Sequence, residues 1–475
     1  MDDRTDGRVT VSRRTALGIA ATSVVAFGLT ACGGSDRTDS GTGVSPDEAV
    51  AIAREAYIFG YPLVLMDVTR VMAEATTPIN QFRHPASLPT PMQREVVRPS
   101  LDILNSTAWL DLRNEPMVLQ VPPMDRQRWW LVQLLDAWSN TVHSPGSIRP
   151  RAVSAAPPYG YVVTGPGWSG TLPENLTPLA MPTPTVWLIV RIQVDGVADL
   201  PAVRAVQQQL TLVPLSVWLA GTGSFTPVTP PAVPPIASPP AAQIEAMAPR
   251  VFFDRMCAVM ANEPSAPADE PTLSRFATIG IEPGGRVGVL SDAVLAKAVS
   301  TAQRQIPVYI DETTIKENGW VYMPSIGHYG TNYLLRAVIA WNGLGAARSE
   351  DAIYPTLFAA TDAAGSTGRF GLHFAPGMLP PVDAFWSLTL YGPDLYLLPN
   401  QAKIYAVGHP APVVLNSDGS LDIILQYADP GASVPRGNWL PIPETGQFSL
   451  TLRMYAPRAE AVQGIWQPPP LLPLR

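Results

Sequence analysis

Proline is the feature of this sequence that most limits what the chain can fold into. It supplies 52 of the 475 residues, about twice its usual share of ~5%, and it is spread along the whole chain. Because proline lacks a backbone N–H and clashes with the preceding helical turn, we expect no long, uninterrupted helices. In the first predicted helix, Gly60-Tyr61-Pro62 should bend or end the helix.

The first half of the chain is predicted to begin with a helix and continue as strands. Ser45-Pro46-Asp47-Glu48 is a capping box with proline at the first helical position, and apolar residues then recur at helical spacing. A second helix is predicted from Asp199 to about Leu212. Short apolar runs cut by proline and glycine predict strands at Met117–Val121, Arg128–Asp136, Tyr161–Thr164 and Thr185–Ile192.

The second half is predicted to pass from helices back to strands. Helical patterns cover Ala242–Asn262, Glu270–Thr278, Ser291–Ile306 and Asn332–Leu344. Strands are predicted at Gly371–Phe374, Phe385–Tyr391, Ile404–Val407, Leu421–Tyr427 and Gln447–Tyr455. Asn416-Ser417-Asp418-Gly419 predicts a hairpin between Val413–Leu415 and Leu421–Leu425. We therefore expect an α+β fold: a β-rich, two-domain protein with antiparallel sheets or sandwiches and flanking helices.

These changes of pattern also predict how the chain is divided. The expected parts are a signal peptide at 1–31, a flexible tether at 32–44, an N-terminal domain at 45–221, a Pro-rich linker or loop at 222–240, a helical connecting segment at 241–330, a C-terminal β-rich domain at 331–458 and a Pro-rich tail at 459–475.

The N-terminus has the pattern of an export signal followed by a lipidation site. Arg13 and Arg14 precede an uncharged stretch, residues 16–31, that is shorter than the ~20 apolar residues of a membrane-spanning helix. Small residues then lead directly to Cys32, as lipid transfer to a cysteine thiol requires. The pattern predicts export of the folded protein by the twin-arginine translocase. We expect a lipid on Cys32 to hold the protein on the outer face of the cytoplasmic membrane.

The charge of the chain limits its partners. The net charge is -7, and no basic run is interleaved with aromatic residues, so the sequence does not indicate a nucleic-acid-binding protein. An acidic body would be repelled by anionic lipid, which leaves the lipid on Cys32 as the expected attachment. The second cysteine, Cys257, has no partner for an internal disulfide and lies in an apolar segment typical of a buried thiol.

Common catalytic and metal-binding motifs are missing from the sequence. It contains no His-x-His, His-Glu-x-x-His or Cys-x-x-Cys pattern, no phosphate-binding or dinucleotide-binding glycine loop, and no Gly-x-Ser-x-Gly. No metal site and no cofactor are therefore evident. Two residues remain as weak catalytic candidates: His328, at a predicted loop-to-helix junction, and Arg336, within an apolar helix. A capping or loop role for His328 and a structural ion pair for Arg336 are the more ordinary interpretations.

Several phrases of the chain resemble a bacterial pair of domains, the domain of unknown function 1254 followed by the domain of unknown function 1214. The N-terminal resemblance rests on residues 55–63, 108–112, 115–116, 133–137 and 161–166, and the C-terminal one on residues 385–391, 418–420, 438–441 and 452–457. The resemblance covers nearly all of residues 46–458. It implies a β-rich envelope or secreted protein of two family domains, for which no activity is agreed.

One segment departs from this resemblance. Where relatives read Asn-x-Asp-Thr-x-Tyr, this chain reads Ser100-Leu101-Asp102-Ile103-Leu104-Asn105, so that only Asp102 is retained. If the segment lines a family site, the loss of Thr and Tyr alters that site. Asp102 joins His328 and Arg336 as a weak catalytic candidate.

Three functions are left open by the sequence. The first is binding of a small polar or carbohydrate-like ligand between the domains, because aromatic faces near a few polar groups suit such ligands. A hydrolase or lyase is the second, with Asp102 or His328 transferring protons and Arg336 holding negative charge. The third is an envelope interaction protein. The weak ligand-binding candidates are Trp109, Trp386, Tyr391, Asn438 and Trp439.

Overall fold

The structure, a computed structural model, describes residues 43–93, 97–221, 238–363, 366–409 and 411–475. Within them the helices are α1 (Pro46–Glu74), α2 (Leu200–Gln207), α3 (Leu215–Leu219), α4 (Pro240–Ala246), α5 (Pro249–Met260), α6 (Glu270–Ala277), α7 (Asp292–Gln305), α8 (Tyr333–Gly343) and α9 (Ala459–Val462).

The strands of the first half are β1 (Ile103–Asp111), β2 (Met117–Val121), β3 (Trp130–Leu135), β4 (Thr141–His143), β5 (Tyr159–Thr164), β6 (Thr177–Ala180), β7 (Thr185–Gln193) and β8 (Thr211–Pro214). Those of the second half are β9 (Ile315–Glu317), β10 (Trp320–Tyr322), β11 (Ala352–Ile353), β12 (Thr356–Ala360), β13 (Arg369–Phe374), β14 (Val382–Tyr391), β15 (Ala406–Gly408), β16 (Leu421–Gln426), β17 (Trp439–Leu440), β18 (Gln447–Pro457) and β19 (Leu472–Pro473).

Helix α1 starts as the sequence predicts but does not stop where proline should stop it. Ser45 caps it by accepting a hydrogen bond from the Glu48 amide. The helix then continues through Pro62 to Glu74, so the expectation that the helix could end at Gly60-Tyr61-Pro62 is wrong. Burial explains the difference, because an interior proline costs about 3 kcal/mol and one buried large side chain recovers about 1.5–3 kcal/mol.

The same helix has the length and hydropathy of a membrane span. Yet 78% of its most apolar stretch is buried inside the protein, against α4, α5, α6, α7 and α8. These helices form a layer around α1 and bury Cys257 completely. A core helix accounts for this apolar composition.

The N-terminal half forms a two-sheet sandwich. One sheet has the order β1-β7-β3-β4 and the other β6-β5-β2-β8, with all pairs antiparallel except β5 with β6. Alternate residues face the core between the sheets, as Leu104, Leu188 and Val132 do from one side and Leu119 and Val163 from the other. Strand β1 pairs with β7 along its whole length, which places Trp109 opposite Trp187 on the outer face.

The C-terminal half forms a second sandwich. Its larger sheet has the order β15-β14-β18-β12-β10-β9, with β11 also paired to β18, and its smaller sheet has the order β17-β16-β13-β19. Leu388, Leu450 and Leu452 of the larger sheet pack against Leu372 and Ile423 of the smaller one. The two sandwiches and the helical layer confirm the predicted β-rich α+β fold.

The predicted division of the chain does not follow these layers everywhere. In the segment 241–330, predicted to be helical, α4–α7 are helices, but β9 and β10 extend the C-terminal sheet through β12. Helix α8, placed by the sequence in the C-terminal domain, packs on α1. In the predicted tail 459–475, residues 459–462 form α9 and β19 pairs with β13.

Some local predictions are corrected by the pairing of strands. The stretch predicted as helix up to Leu212 ends at Gln207, since Thr211–Pro214 pairs with β2. Asn416–Gly419 does form a turn, but Val413–Leu415 is not a strand, and β16 pairs with β13 and β17 instead. The export signal with Arg13, Arg14 and Cys32, and residues 222–237 of the predicted linker, lie outside the described residues.

Candidate functional site

Residues 98–102 cross from the N-terminal sandwich onto the larger C-terminal sheet. The Arg98 amide donates to the Leu395 carbonyl at 2.8 Å, and the Tyr391 hydroxyl donates to the Pro99 carbonyl at 2.8 Å. At the other end, the Val194 amide donates to the Asp102 carbonyl at 2.8 Å, just before β1 begins. The crossing segment is therefore fixed to both domains.

Asp102 lies at this junction and is completely buried. Its Oδ2 atom accepts a hydrogen bond from Ser387 of β14 at 2.7 Å and longer ones, at 3.3 Å, from Tyr455 of β18 and from Ser100. Its Oδ1 atom has no hydrogen-bond partner and lies 3.6 Å from Nδ1 of His409. A buried carboxylate of one domain thus faces an imidazole of the other.

His409 joins this buried carboxylate to a more exposed one. Its Nε2 atom lies 2.8 Å from Oδ1 of Asp195, whose side chain is 44% exposed, and 2.9 Å from the side-chain nitrogen of Gln193. The Phe385 ring stacks on the imidazole at 4.1 Å. Nδ1 of His409 therefore faces Asp102 without a hydrogen bond, while Nε2 contacts the more exposed Asp195.

The surroundings of His409 favour its protonated form. Burial lowers the pKa of the imidazole, but the neighbouring carboxylates Asp102 and Asp195 raise it more, and the pKa of His409 lies above its usual value of 6.5. An imidazolium between two carboxylates can donate a proton at Nε2 and stay held at Nδ1 by Asp102.

The outer surface of the larger C-terminal sheet beside this pair is polar yet buried. We call it the hydroxyl face. On β14 and β18, Leu388, Leu450 and Leu452 point into the core, so the alternate residues point outwards, towards residues 98–102. These residues are Ser387, Thr389, Tyr391, Ser449, Thr451, Arg453 and Tyr455, all buried.

Two arginines meet on the hydroxyl face. Nη2 of Arg453 donates to the Tyr391 hydroxyl at 2.6 Å, and Nη1 of Arg98 donates to the Thr451 hydroxyl at 2.7 Å. The two guanidinium carbons lie 5.9 and 5.6 Å from the Tyr391 ring. Burial lowers the pKa of Arg98 to about 10; Tyr391 opposes this lowering, and the neighbouring Arg453 adds a smaller lowering effect of its own. No described carboxylate lies within ion-pair distance of either arginine.

Three donor groups on the hydroxyl face have no hydrogen-bond partner. They are Nε of Arg453 and the hydroxyls of Thr389 and Ser449. In the pairing of β14 with β18, Thr389 lies opposite Thr451, which is the residue of this face between Arg453 and Ser449. Leaving a buried donor unpaired costs about 1–3 kcal/mol. The group that would satisfy these donors is a hydrogen-bond acceptor, and beside two arginines an anionic acceptor is favoured.

Arg336 and His328 do not join Asp102. Arg336 is buried in the helical layer, where its guanidinium lies 5.2–5.3 Å from the rings of Phe59, Trp138 and Tyr333, and burial lowers its pKa despite the opposing charges of Asp269 and Asp136. His328 is exposed in the loop before α8. The three predicted catalytic residues share no contact partner.

The aromatic ligand-binding candidates are likewise spread over the fold. Trp109 stacks on Trp187 against α1 at 5.3 Å, whereas Trp386 and Trp439 pack in or against the C-terminal core. Asn438 is used structurally, since it hydrogen-bonds the backbone of Val414 and Asp422. Tyr391 is the candidate that lies on the hydroxyl face.

The altered segment contributes directly to the junction. Ser100 still bonds Tyr455, at 2.9 Å, but Oδ1 of Asn105 is buried without a partner. His409, Asp195, Arg98 and Arg453 are not among the site residues predicted from the sequence. Arg453 and Tyr455 could have been found, because they alternate with Leu452 and Met454 on a predicted strand.

Among the described residues, no group of three or more His, Cys, Asp or Glu side chains is placed to hold a metal ion.

Comparison with known proteins identifies both halves of the chain. Residues 79–214 match the family described as Protein of unknown function (DUF1254), and residues 351–459 match Protein of unknown function (DUF1214). No functionally curated protein matches the chain.

One solved structure shows a similar fold. The crystal structure of the VPA0106 protein from Vibrio parahaemolyticus covers 90% of this chain and 100% of its own, with 21% identity and a TM-score of 0.64. An uncharacterized protein from Burkholderia cenocepacia covers 90% of this chain and 94% of its own, with 13% identity and a TM-score of 0.42. Two segments of the chain, residues 79–214 and 351–459, thus match the DUF1254 and DUF1214 families in that order.

Proposed function

We propose that this protein is a lipid-anchored binding protein of the cell envelope that takes a small, anionic, hydroxyl-bearing molecule between its two domains. The observation that carries this proposal is the hydroxyl face, where Arg453 and two hydroxyls present buried donors without acceptors. Arginine with hydroxyl groups is a donor set suited to a carboxylate or a phosphate carrying further hydroxyls, such as a sugar acid.

The anchoring part of this proposal rests on the sequence. Arg13 and Arg14, the short apolar stretch and Cys32 stand in the order that twin-arginine export and lipidation require. The partners would be the translocase during export and the membrane afterwards. A binding protein held at the membrane surface would meet small solutes outside the cell.

The test begins with the ligand itself. Native mass spectrometry of protein purified from its own envelope should reveal a retained small anion. Thermal-shift titration with glucuronate, gluconate and phosphate, and with glucose as the neutral control, then measures the preference. A ligand at 100 times its Kd adds about 2.7 kcal/mol of stability. Equal shifts with glucose and glucuronate would contradict the anionic character of the ligand.

Thr389→Val and Ser449→Ala make the sharpest variants. Both hydroxyls lack partners in the free protein, so their removal should leave the free energy of unfolding unchanged or higher, yet weaken glucuronate binding by about 2- to 12-fold each. Arg453→Met should abolish binding, and Arg113→Met, at an exposed arginine just after β1, is the matched control. Unchanged affinity in all three variants would overturn the site.

A second candidate function, an acid/base hydrolase or lyase, is favoured by the Asp102–His409 pair. Asp102 would hold the imidazole at Nδ1 and His409 would transfer a proton through Nε2. With an anionic ligand identified, the purified protein should convert it, and His409→Gln should stop conversion while leaving binding intact. If the wild-type protein returns the ligand unchanged, the hydrolase or lyase proposal is contradicted and the binding proposal is not.

A further inference from the structure

A groove on the N-terminal domain is separate from the hydroxyl face. It has a volume of about 220 Å³ and is lined by Gln81, Phe82, His84, Leu210 and Leu212. At ~30 Å³ for each water of the liquid, it has room for about seven waters, or one small organic molecule.

The wall of the groove is fixed to the sandwich behind it. The backbone of Arg83 exchanges two hydrogen bonds with Thr107 of β1, at 2.7 and 3.0 Å. On the opposite wall, Leu210 precedes β8 and Leu212 lies within it. The neighbouring His84 and Phe82 are therefore held on a rigid support, with ring centroids 5.3 Å apart.

A buried chain of hydrogen bonds sets the proton position on His84. Nδ1 of His84 lies 2.8 Å from the Ser106 hydroxyl oxygen, to which the Gln207 amide donates at 3.1 Å. That oxygen could accept a second hydrogen bond, but among the described residues Nδ1 of His84 is the acceptor within hydrogen-bond distance of this buried hydroxyl. The arrangement that leaves no buried proton unpaired therefore sends the Ser106 proton to Nδ1 of His84. The neutral imidazole then carries its proton on Nε2, and this N–H group can donate a hydrogen bond to a ligand.

Ser106 sets this tautomer and is not a nucleophile. Its side chain is 0% exposed and that of Gln207 1%, so no substrate in the groove reaches the hydroxyl. Burial also lowers the pKa of His84, which keeps the imidazole neutral at pH 7. The groove thus offers uncharged N–H donors, from His84 and from the Gln81 side chain, beside an aromatic ring and two leucines.

We infer that this groove is a second binding site, for a small uncharged molecule with a carbonyl oxygen on an apolar or aromatic body, such as an amide or an ester. The carbonyl oxygen accepts from Nε2 of His84, and the apolar body lies against Phe82, Leu210 and Leu212. A neutral donor without a cation in the lining favours a carbonyl over a carboxylate, because desolvating the charge of a carboxylate costs more.

The experiment uses the imidazole nitrogens as reporters. The chain has five histidines, so ¹⁵N-histidine labelling gives few ring signals, which single substitutions assign. In the free protein, the His84 signals should show the proton on Nε2. Benzamide should shift them and leave those of His409 unchanged, whereas benzoate should bind at least several-fold more weakly. A proton on Nδ1, no shift with benzamide, or equal binding of benzoate would overturn the inference.

Two variants separate the donor from the groove. Ser106→Ala removes the group that sets the tautomer and should weaken benzamide binding by about 2- to 12-fold, with a mixture of tautomers visible in the ¹⁵N spectrum. His84→Phe keeps a ring of similar shape and should weaken binding comparably, and Arg458→Met, at an exposed arginine of the C-terminal domain, should have no effect. Full affinity in both groove variants would show that His84 does not hold the ligand.

Discussion

His409 links the two domains through a charge that depends on pH. Its pKa is raised above 6.5 in the folded protein, so its contribution to stability is complete below the unfolded pKa and is lost as the pH rises through the folded pKa. The histidines with lowered pKa values, His84 and His143, act in the opposite direction. The contribution of His409 is therefore isolated by subtracting the free energy of unfolding of a His409 variant from that of the wild type at each pH.

His409→Gln supplies that difference. We expect the wild-type protein to exceed the variant in free energy of unfolding most clearly near pH 5.5, and the difference to shrink towards pH 8. Urea unfolding at several pH values measures it. His328→Gln, at an exposed loop histidine, should give the same curve as the wild type. A His409 difference that grows with pH would contradict the assigned direction.

Some residues of the junction could be predicted from the sequence and others could not. Asp102 could be singled out because it is the retained member of an altered segment. His409 could not, because its contact with Asp102 depends on how two domains meet, and no spacing along the chain records that. Trp386 and Trp439 illustrate the converse, since buried core aromatics and ligand-binding aromatics look alike in a sequence.

At the level of elements, α1 depends on a glycine that lets it lie close to α5. A Cβ atom added at Gly60 would lie 2.2 Å from the sulfur of Met256, and Met256 is fully buried. Alanine in place of glycine gains about 0.5–1 kcal/mol in a helix, whereas overpacking a core costs about 1–3 kcal/mol. The clash should therefore outweigh the gain.

We expect Gly60→Ala to lower the free energy of unfolding by about 1–2 kcal/mol, measured by urea unfolding. Gly343→Ala in α8 is the matched control, since nothing lies within 4 Å of its added Cβ. Combined with Met256→Ala, which makes room, Gly60→Ala should cost less than it does alone. Strict additivity of the two changes would show that the close contact is not the cause.

Strands with regular alternation can be predicted from sequence, and others cannot. Met117–Val121 is predicted with its observed bounds because its apolar residues are bounded by turns. Strand β1 is missed, since Asn105, Ser106 and Thr107 interrupt its apolar pattern while both of its faces are covered. The helix through Pro62 is misjudged for a related reason: tertiary burial outweighs a local preference.

For the whole molecule, the export and membrane anchoring of the protein can be tested separately from its binding of a ligand. Cys32→Ala should abolish acylation and release the protein from the membrane fraction, detected by fractionation and by the loss of the lipid mass. Replacing Arg13 and Arg14 by lysine should retain the precursor in the cytoplasm. Continued tight membrane association of Cys32→Ala would contradict the lipid anchor, and normal export of the lysine variant would contradict the twin-arginine route.

The hydroxyl face also bears on how such a two-domain protein can arise. An interface made of apolar side chains becomes an aggregation risk when its partner is missing, but serine, threonine, tyrosine and arginine side chains hydrogen-bond water when uncovered. On this ground the hydroxyl face itself would not make the C-terminal sheet aggregate without its neighbour. The part of the junction that a gene split would leave at risk is the apolar contact of Phe385 and Tyr455 with Trp129 of the N-terminal domain.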